Sequence, residues 1–66
     1  MKMEFEHCGY IFKYFFDADV DELGHIDVEG YEVYNVNNSY LGEIRYITEE
    51  EILALDEKEI DALINT

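Results

Sequence analysis

Seventeen Asp and Glu stand against four Lys and Arg in a chain of 66 residues, a formal charge of -13. Carboxylates are expensive to bury without partners, so the acids must occupy surface on every element. The core must then come from the remainder, which is rich in aromatics: six Tyr and four Phe, with no Pro or Trp, in a hydrophobic share of 48%. Highly charged disordered chains are poor in aromatic and β-branched residues, so this one is read as folded. Its length allows one domain, 1–66, which buries only about 60% of its extended-chain surface. Self-repulsion narrows that margin, and stability is expected to rise as salt screens it.

The charge excludes direct nucleic-acid binding, which works by phosphate neutralisation from a basic face, and argues against anionic lipid. No apolar run approaches the ~18 residues of a membrane span. The longest, Tyr10 to Phe16, is interrupted by Lys13. Met1-Lys2 leads into Met3-Glu4-Phe5-Glu6 without the apolar region of a secretory signal. Cys8 is the single cysteine, so no intramolecular disulfide forms. A reducing compartment or indifference to redox is expected, and the cytoplasm is the expected location. A scaffold this small without a staple gains from association, and a homodimer is one expected source of stability.

The periodicities give an α+β fold: a small antiparallel sheet of three to four strands packed with a C-terminal kinked helix or two short helices. Tyr10, Phe12, Tyr14 and Phe16 alternate with period 2, and the apolar phase flips across His7-Cys8-Gly9, which predicts a turn or strong bend there. Residues 17–30 read as an acidic connection, with a helical turn over Asp17 to Leu23 and a short strand over 25–28. The hairpin at 31–47 is the clearest element, with Asn37-Asn38 as a two-residue type I′ turn. Its register sets 36 against 39, 34 against 41 and Glu32 against Glu43. Tyr31, Val33, Tyr40, Ile44 and Tyr46 then form the core face. At the C-terminus, Thr48 with Glu51 and Asp56 with Glu59 make two capping boxes. Asp56 would fall inside the apolar stripe of one continuous helix, so it is read as the cap of a second.

Catalytic and metal readings are weak. Against the calcium-loop pattern, a start at Asp17 puts Glu22 where Gly is needed and Val28 where Glu is needed; a start at Asp19 puts Leu23 at the fifth place and Gly30 at the twelfth. A cation-binding module over residues 17–29 is therefore the third-ranked reading. His7, Cys8 and His25 lack zinc-site spacing and an orienting third group for a Cys–His nucleophile. The runs Glu49–Glu51 and Glu57/Glu59/Asp61 read as a solvated face. No metal, cofactor or catalytic residue is expected, and the chain is read as a non-enzyme.

A net charge of about 2–8 in magnitude suffices for solubility, and thirteen exceeds it. One use of such a surface is to imitate a polyanion. Carboxylates two apart on a strand lie ~6.8 Å from each other and facing pairs ~5 Å, on the scale of phosphates every ~3.4 Å of each DNA strand. In size, charge and lack of catalytic motifs the chain resembles the small acidic DNA-mimic proteins with which phages inhibit host nucleases, CRISPR effectors, polymerases and HU-type nucleoid proteins. The resemblance implies a partner that is a basic DNA-binding protein. The expected partner-binding residues are Glu32, Glu43, Glu49, Glu50, Glu51, Glu57, Glu59 and Asp61, then Asp17, Asp19 and Asp21. Tyr34 is the aromatic best placed for an interface. The alternative reading is an assembly module held by its aromatic sheet, with charge serving solubility alone.

Overall fold

The computed structural model describes residues 3–21 and 24–65, with the side chains of 19–21, 25 and 26 left out. Four strands, β1 (Glu4–His7), β2 (Tyr10–Asp21), β3 (Gly24–Asn35) and β4 (Tyr40–Arg45), form one antiparallel sheet in sequential order. Two short helices, α1 (Glu49–Leu53) and α2 (Glu57–Ile64), follow. This is the expected α+β architecture, with four strands and a break at Asp56.

Cys8 and Gly9 have φ of 54° and 79°, so the phase flip is a two-residue turn with both residues left-handed, the geometry that matches strand twist. It sets Phe5 opposite Phe12 and His7 opposite Tyr10. The His7 Nε2–H donates to the Leu55 carbonyl at 2.8 Å, tying this turn to the junction between the helices.

The helices cover one face of the sheet. Phe12, Tyr31, Val33 and Ile44 from that face and Ile52 and Ile60 from the helices are the buried core. Phe5 stacks on Phe12 at 5.3 Å between ring centres and meets Tyr31 edge-on at 5.4 Å. Tyr14 meets Tyr31 edge-on at 5.6 Å. Edge-to-face rings add to their area burial, which lets so small a core hold. At Gly42 the strand β4 lies close against α2: a Cβ there would lie 2.7 Å from Ile64 Cγ2, and its φ of +157° suits glycine.

Both capping boxes form as read. Thr48 accepts from the Glu51 N–H while Glu51 accepts from the Thr48 N–H, and Asp56 and Glu59 repeat the exchange. The alternative, one helix through Asp56, would drive a carboxylate into the Ile52–Ile60 stripe.

Five expectations are corrected. Residues 17–21 are strand, not a helical turn: β2 runs unbroken to Asp21, paired along its length with β3 from Gly24. The supposed short strand at 25–28 is part of that 12-residue β3. Cross-strand pairing overrides the local helical preference; Glu22 and Leu23 of the expected turn lie outside the described residues. The third hairpin is not closed by a two-residue Asn37-Asn38 turn. Asn38 N–H bonds the Asn35 carbonyl at 2.9 Å and Asn35 N–H bonds the Ser39 carbonyl at 3.0 Å, leaving Val36, Asn37 and Asn38 as a three-residue loop. The Asn35 Oδ1 accepts from the N–H groups of Asn37 and Ser39, which secures this turn, and only Asn38 is left-handed, with φ 65°. Tyr34 therefore faces Tyr40, and a bulge at Leu41 restores the expected register of Glu32 to Glu43 and Tyr31 to Ile44. The bulge moves Tyr40 off the core face, to 56% exposure. Tyr46 leaves it too, at 66% exposure: β4 ends at Arg45, and Tyr46 turns left-handed with φ 60° as its N–H bonds the Glu29 carbonyl.

Candidate functional site

The expected site residues divide between two sides of the sheet. On the helix side, α1 contributes Glu49, half-buried, and Glu50 and Glu51, exposed; Asp56, Glu57, Glu59 and Asp61, all exposed, follow along the junction and α2. Lys58 is the single Lys or Arg between positions 46 and 66. Four of these carboxylates are held by hydrogen bonds. Glu51 accepts from Thr48 at 3.2 Å and Glu59 from the Asp56 N–H at 3.1 Å. Asp56 accepts from the Glu59 N–H at 2.8 Å, and Asp61 from Asn65 Nδ2 at 3.0 Å. Each bond engages one oxygen to the ridge's own backbone or amide groups, so the negative charges are fixed in place but not neutralised.

Glu57 and Asp61, one turn apart on α2, flank Tyr10 and with Lys58 line a hollow of about 370 Å3. Burial, then the charges of Asp61 and Glu57, push the Tyr10 phenol above its ordinary range. A neutral phenol between two carboxylates is a donor rather than an acid at physiological pH.

Glu32 and Glu43 lie elsewhere. They face each other as expected, but on the open side of the sheet, away from the helices, in the row Glu4, Lys13, Glu32, Glu43. Lys13 Nζ is 3.6 Å from Glu4 and 4.5 Å from the centre of the Tyr34 ring. Arg45 donates to Glu43 at 3.0 Å. The structure thus does not bring Glu32 and Glu43 into one negative face with the acids of 49–61. Like charges facing each other across a ladder are destabilising, and Lys13 and Arg45 beside this pair relieve that cost. That role was legible in principle, since pairing β2 with β3 by their alternation sets Lys13 beside Glu32.

Asp17 is exposed on the part of β2 that runs beyond β1. Asp19 and Asp21 share its strand parity, but their side chains lie outside the described set. No Lys or Arg occurs between Lys13 and Arg45 in sequence, so the Asp and Glu residues of this two-stranded arm have no Lys or Arg of the arm itself among them. Tyr34 lies on the open face as expected, edge-on to Tyr40 at 5.6 Å.

The turn brings Cys8 Sγ within 3.4 Å of His7 Nε2. A carbonyl only accepts, so the 2.8 Å bond from Nε2 to Leu55 means that Nε2 carries a hydrogen. That nitrogen has no lone pair with which to take the thiol proton, so the pair lacks the geometry of an activated nucleophile. Among the described residues no group of three or more His, Cys, Asp or Glu is arranged to hold a metal ion. No helix among them is long and apolar enough to cross a membrane.

The fold and its surface define a small antiparallel α+β domain with an acidic helical ridge. No protein-family model, curated protein or solved structure matches the chain.

Proposed function

We propose that the protein is a binding module that imitates a nucleic-acid backbone and occupies the basic DNA-binding groove of another protein. The observation that carries this reading is the ridge from Glu49 to Asp61, in which Glu51, Asp56, Glu59 and Asp61 are each fixed by a hydrogen bond and one Lys is interspersed. A mimic has to hold its charges where the groove expects phosphates, because ordering mobile side chains on binding lowers affinity. Residues four apart on a helix lie about 6 Å from each other, comparable with phosphate separations. Asp17 shares the open side of the sheet with Glu32 and Glu43 and lies apart from the ridge. Glu32 and Glu43, flanked by Lys13 and Arg45 on the other side, are not part of this binding surface.

A groove that binds DNA by releasing counterions would bind this ridge through the same electrostatics, with fast, salt-weakened association. The test is capture of proteins from a bacterial lysate on the immobilised chain at low and high salt, with duplex DNA as competitor. The expected result is retention of basic DNA-binding proteins, released by DNA and by salt and lost on substituting Glu50→Gln, Glu57→Gln and Asp61→Asn together. Retention of non-basic proteins, or binding indifferent to added DNA, overturns the reading.

A further inference from the structure

The helices cover one side of the sheet and leave the other bare. Its rows, read across the strands, are Glu6, Ile11, Tyr34, Tyr40; then Glu4, Lys13, Glu32, Glu43; then Phe15, Gly30, Arg45; then Asp17, Val28. Ile11 and Tyr34 on one side and Phe15 on the other flank the charged row of Glu4, Lys13, Glu32 and Glu43, and two of the chain's four Lys and Arg lie on this face. We propose that this open face is a self-association surface, on which a second copy of the chain packs sheet to sheet.

Three observations select a second copy. The first is charge. A chain at -13 repels its own kind, and on the open face Lys13 and Arg45 offset part of that repulsion by pairing with Glu4 and Glu43. The second is self-complementarity. A twofold axis along the strands, between two such sheets, lays β2 over the other copy's β3, the near-aligned arrangement that packed sheets adopt. In the observed register Lys13 then meets Glu32, Ile11 meets Tyr34, and Phe15 meets Gly30. Gly30 has no side chain to obstruct that ring, and a Cβ there would strike the Ile44 carbonyl. The like-charge meeting of Glu4 with Glu43 falls at the rim, beside Arg45. The third is area. Strands of 4, 12, 12 and 6 residues offer roughly 550 Å2 per face at ~4.8 Å between strands and ~3.4 Å per residue. Two such faces clear the ~1,000 Å2 of a specific interface. The acidic ridges would point outward on both sides, so the proposal is independent of the mimicry reading.

The test is sedimentation equilibrium of the full chain from roughly 10 μM to 1 mM, in low and high salt, a range that brackets weak and moderate affinity. The expected result is a mass rising from 7.8 kDa to twice that, with association strengthened by salt. Salt weakens binding of a basic partner, so the two proposals fail separately. Phe15→Glu should weaken association at least about tenfold, as an apolar contact is replaced by a like charge. Tyr40→Glu, at a site already 56% exposed and so harmless to folding, should do likewise. Leu53→Glu, on the helix side, should leave association unchanged. A monomer at every concentration and salt, or a dimer abolished by Leu53→Glu and indifferent to Phe15→Glu and Tyr40→Glu, overturns the proposal.

Discussion

Replacing Asp56 separates two effects that coincide in this chain, the cap that starts α2 and the charge that strains the whole molecule. The Asp56 carboxylate accepts from the Glu59 N–H at 2.8 Å, and the Asp56 N–H donates to Glu59 at 3.1 Å. Asp56→Ala removes the first bond outright. An N-cap lost to Ala costs about 1 kcal/mol. The lost favourable charge at the helix N-terminus adds about 0.3–1 kcal/mol. Relief of self-repulsion offsets a few tenths at most for one exposed charge at moderate salt. The expected net loss is about 1–1.5 kcal/mol, or roughly 4–12 °C in thermal midpoint for a domain of this size. Asn caps as well as Asp, so Asp56→Asn keeps the bond and removes only the charge, and should lose about 0.5 kcal/mol or less. Urea unfolding followed by far-UV circular dichroism measures both. If Ala and Asn are equally destabilising, or Ala is neutral, the cap does not divide the helices and the account of their break is wrong.

Two further outcomes follow from the same structure. Ile60 is fully buried between α2 and the sheet, and Ile60→Ala should cost about 2–4 kcal/mol against a total of roughly 3–10 kcal/mol for a chain of this length. Urea titration should find the midpoint of the variant shifted to lower denaturant by that loss, and a loss below about 1 kcal/mol would mean that the helix is not packed as described. The phenols of Tyr10, Tyr14, Tyr31 and Tyr40 all lie above the ordinary 10.0. For Tyr14 the main cause is its hydrogen bond to Glu29, and for Tyr31 it is burial. Folding therefore holds these protons more tightly than the unfolded chain does. That contribution is complete below pH 10 or so and is lost as pH rises through the folded-state values. The thermal midpoint should fall above about pH 10, and fall less in Tyr14→Phe; a midpoint flat to about pH 11 would refute the assignment.

Much of the fold was legible because its signals are local. The phase flip at Cys8-Gly9 needs two residues that accept positive φ, and the two capping boxes are complete within four residues each. The stretch from Asp17 to Asp21 was misread because its own residues do not decide it: strand pairing with β3 does. Tyr40 was misplaced by one residue of bulge, which reverses a side chain's face while leaving Glu32 and Glu43 in their expected register. The candidate site suffered more, since a list of acids carries no information about which side of a sheet each occupies.

The sequence by itself determined that the chain folds with its acids outside, that alternating aromatic and aliphatic residues supply the core, and where each helix begins, because charge, alternation and caps act over a few residues. Only the tertiary structure decided that the helices lie on one face, that the acidic ridge and the Glu32–Glu43 pair look in opposite directions, and that Lys13 and Arg45 attend the latter. Those are consequences of which strand pairs with which and which face is covered, and they rest on contacts between residues far apart in the chain.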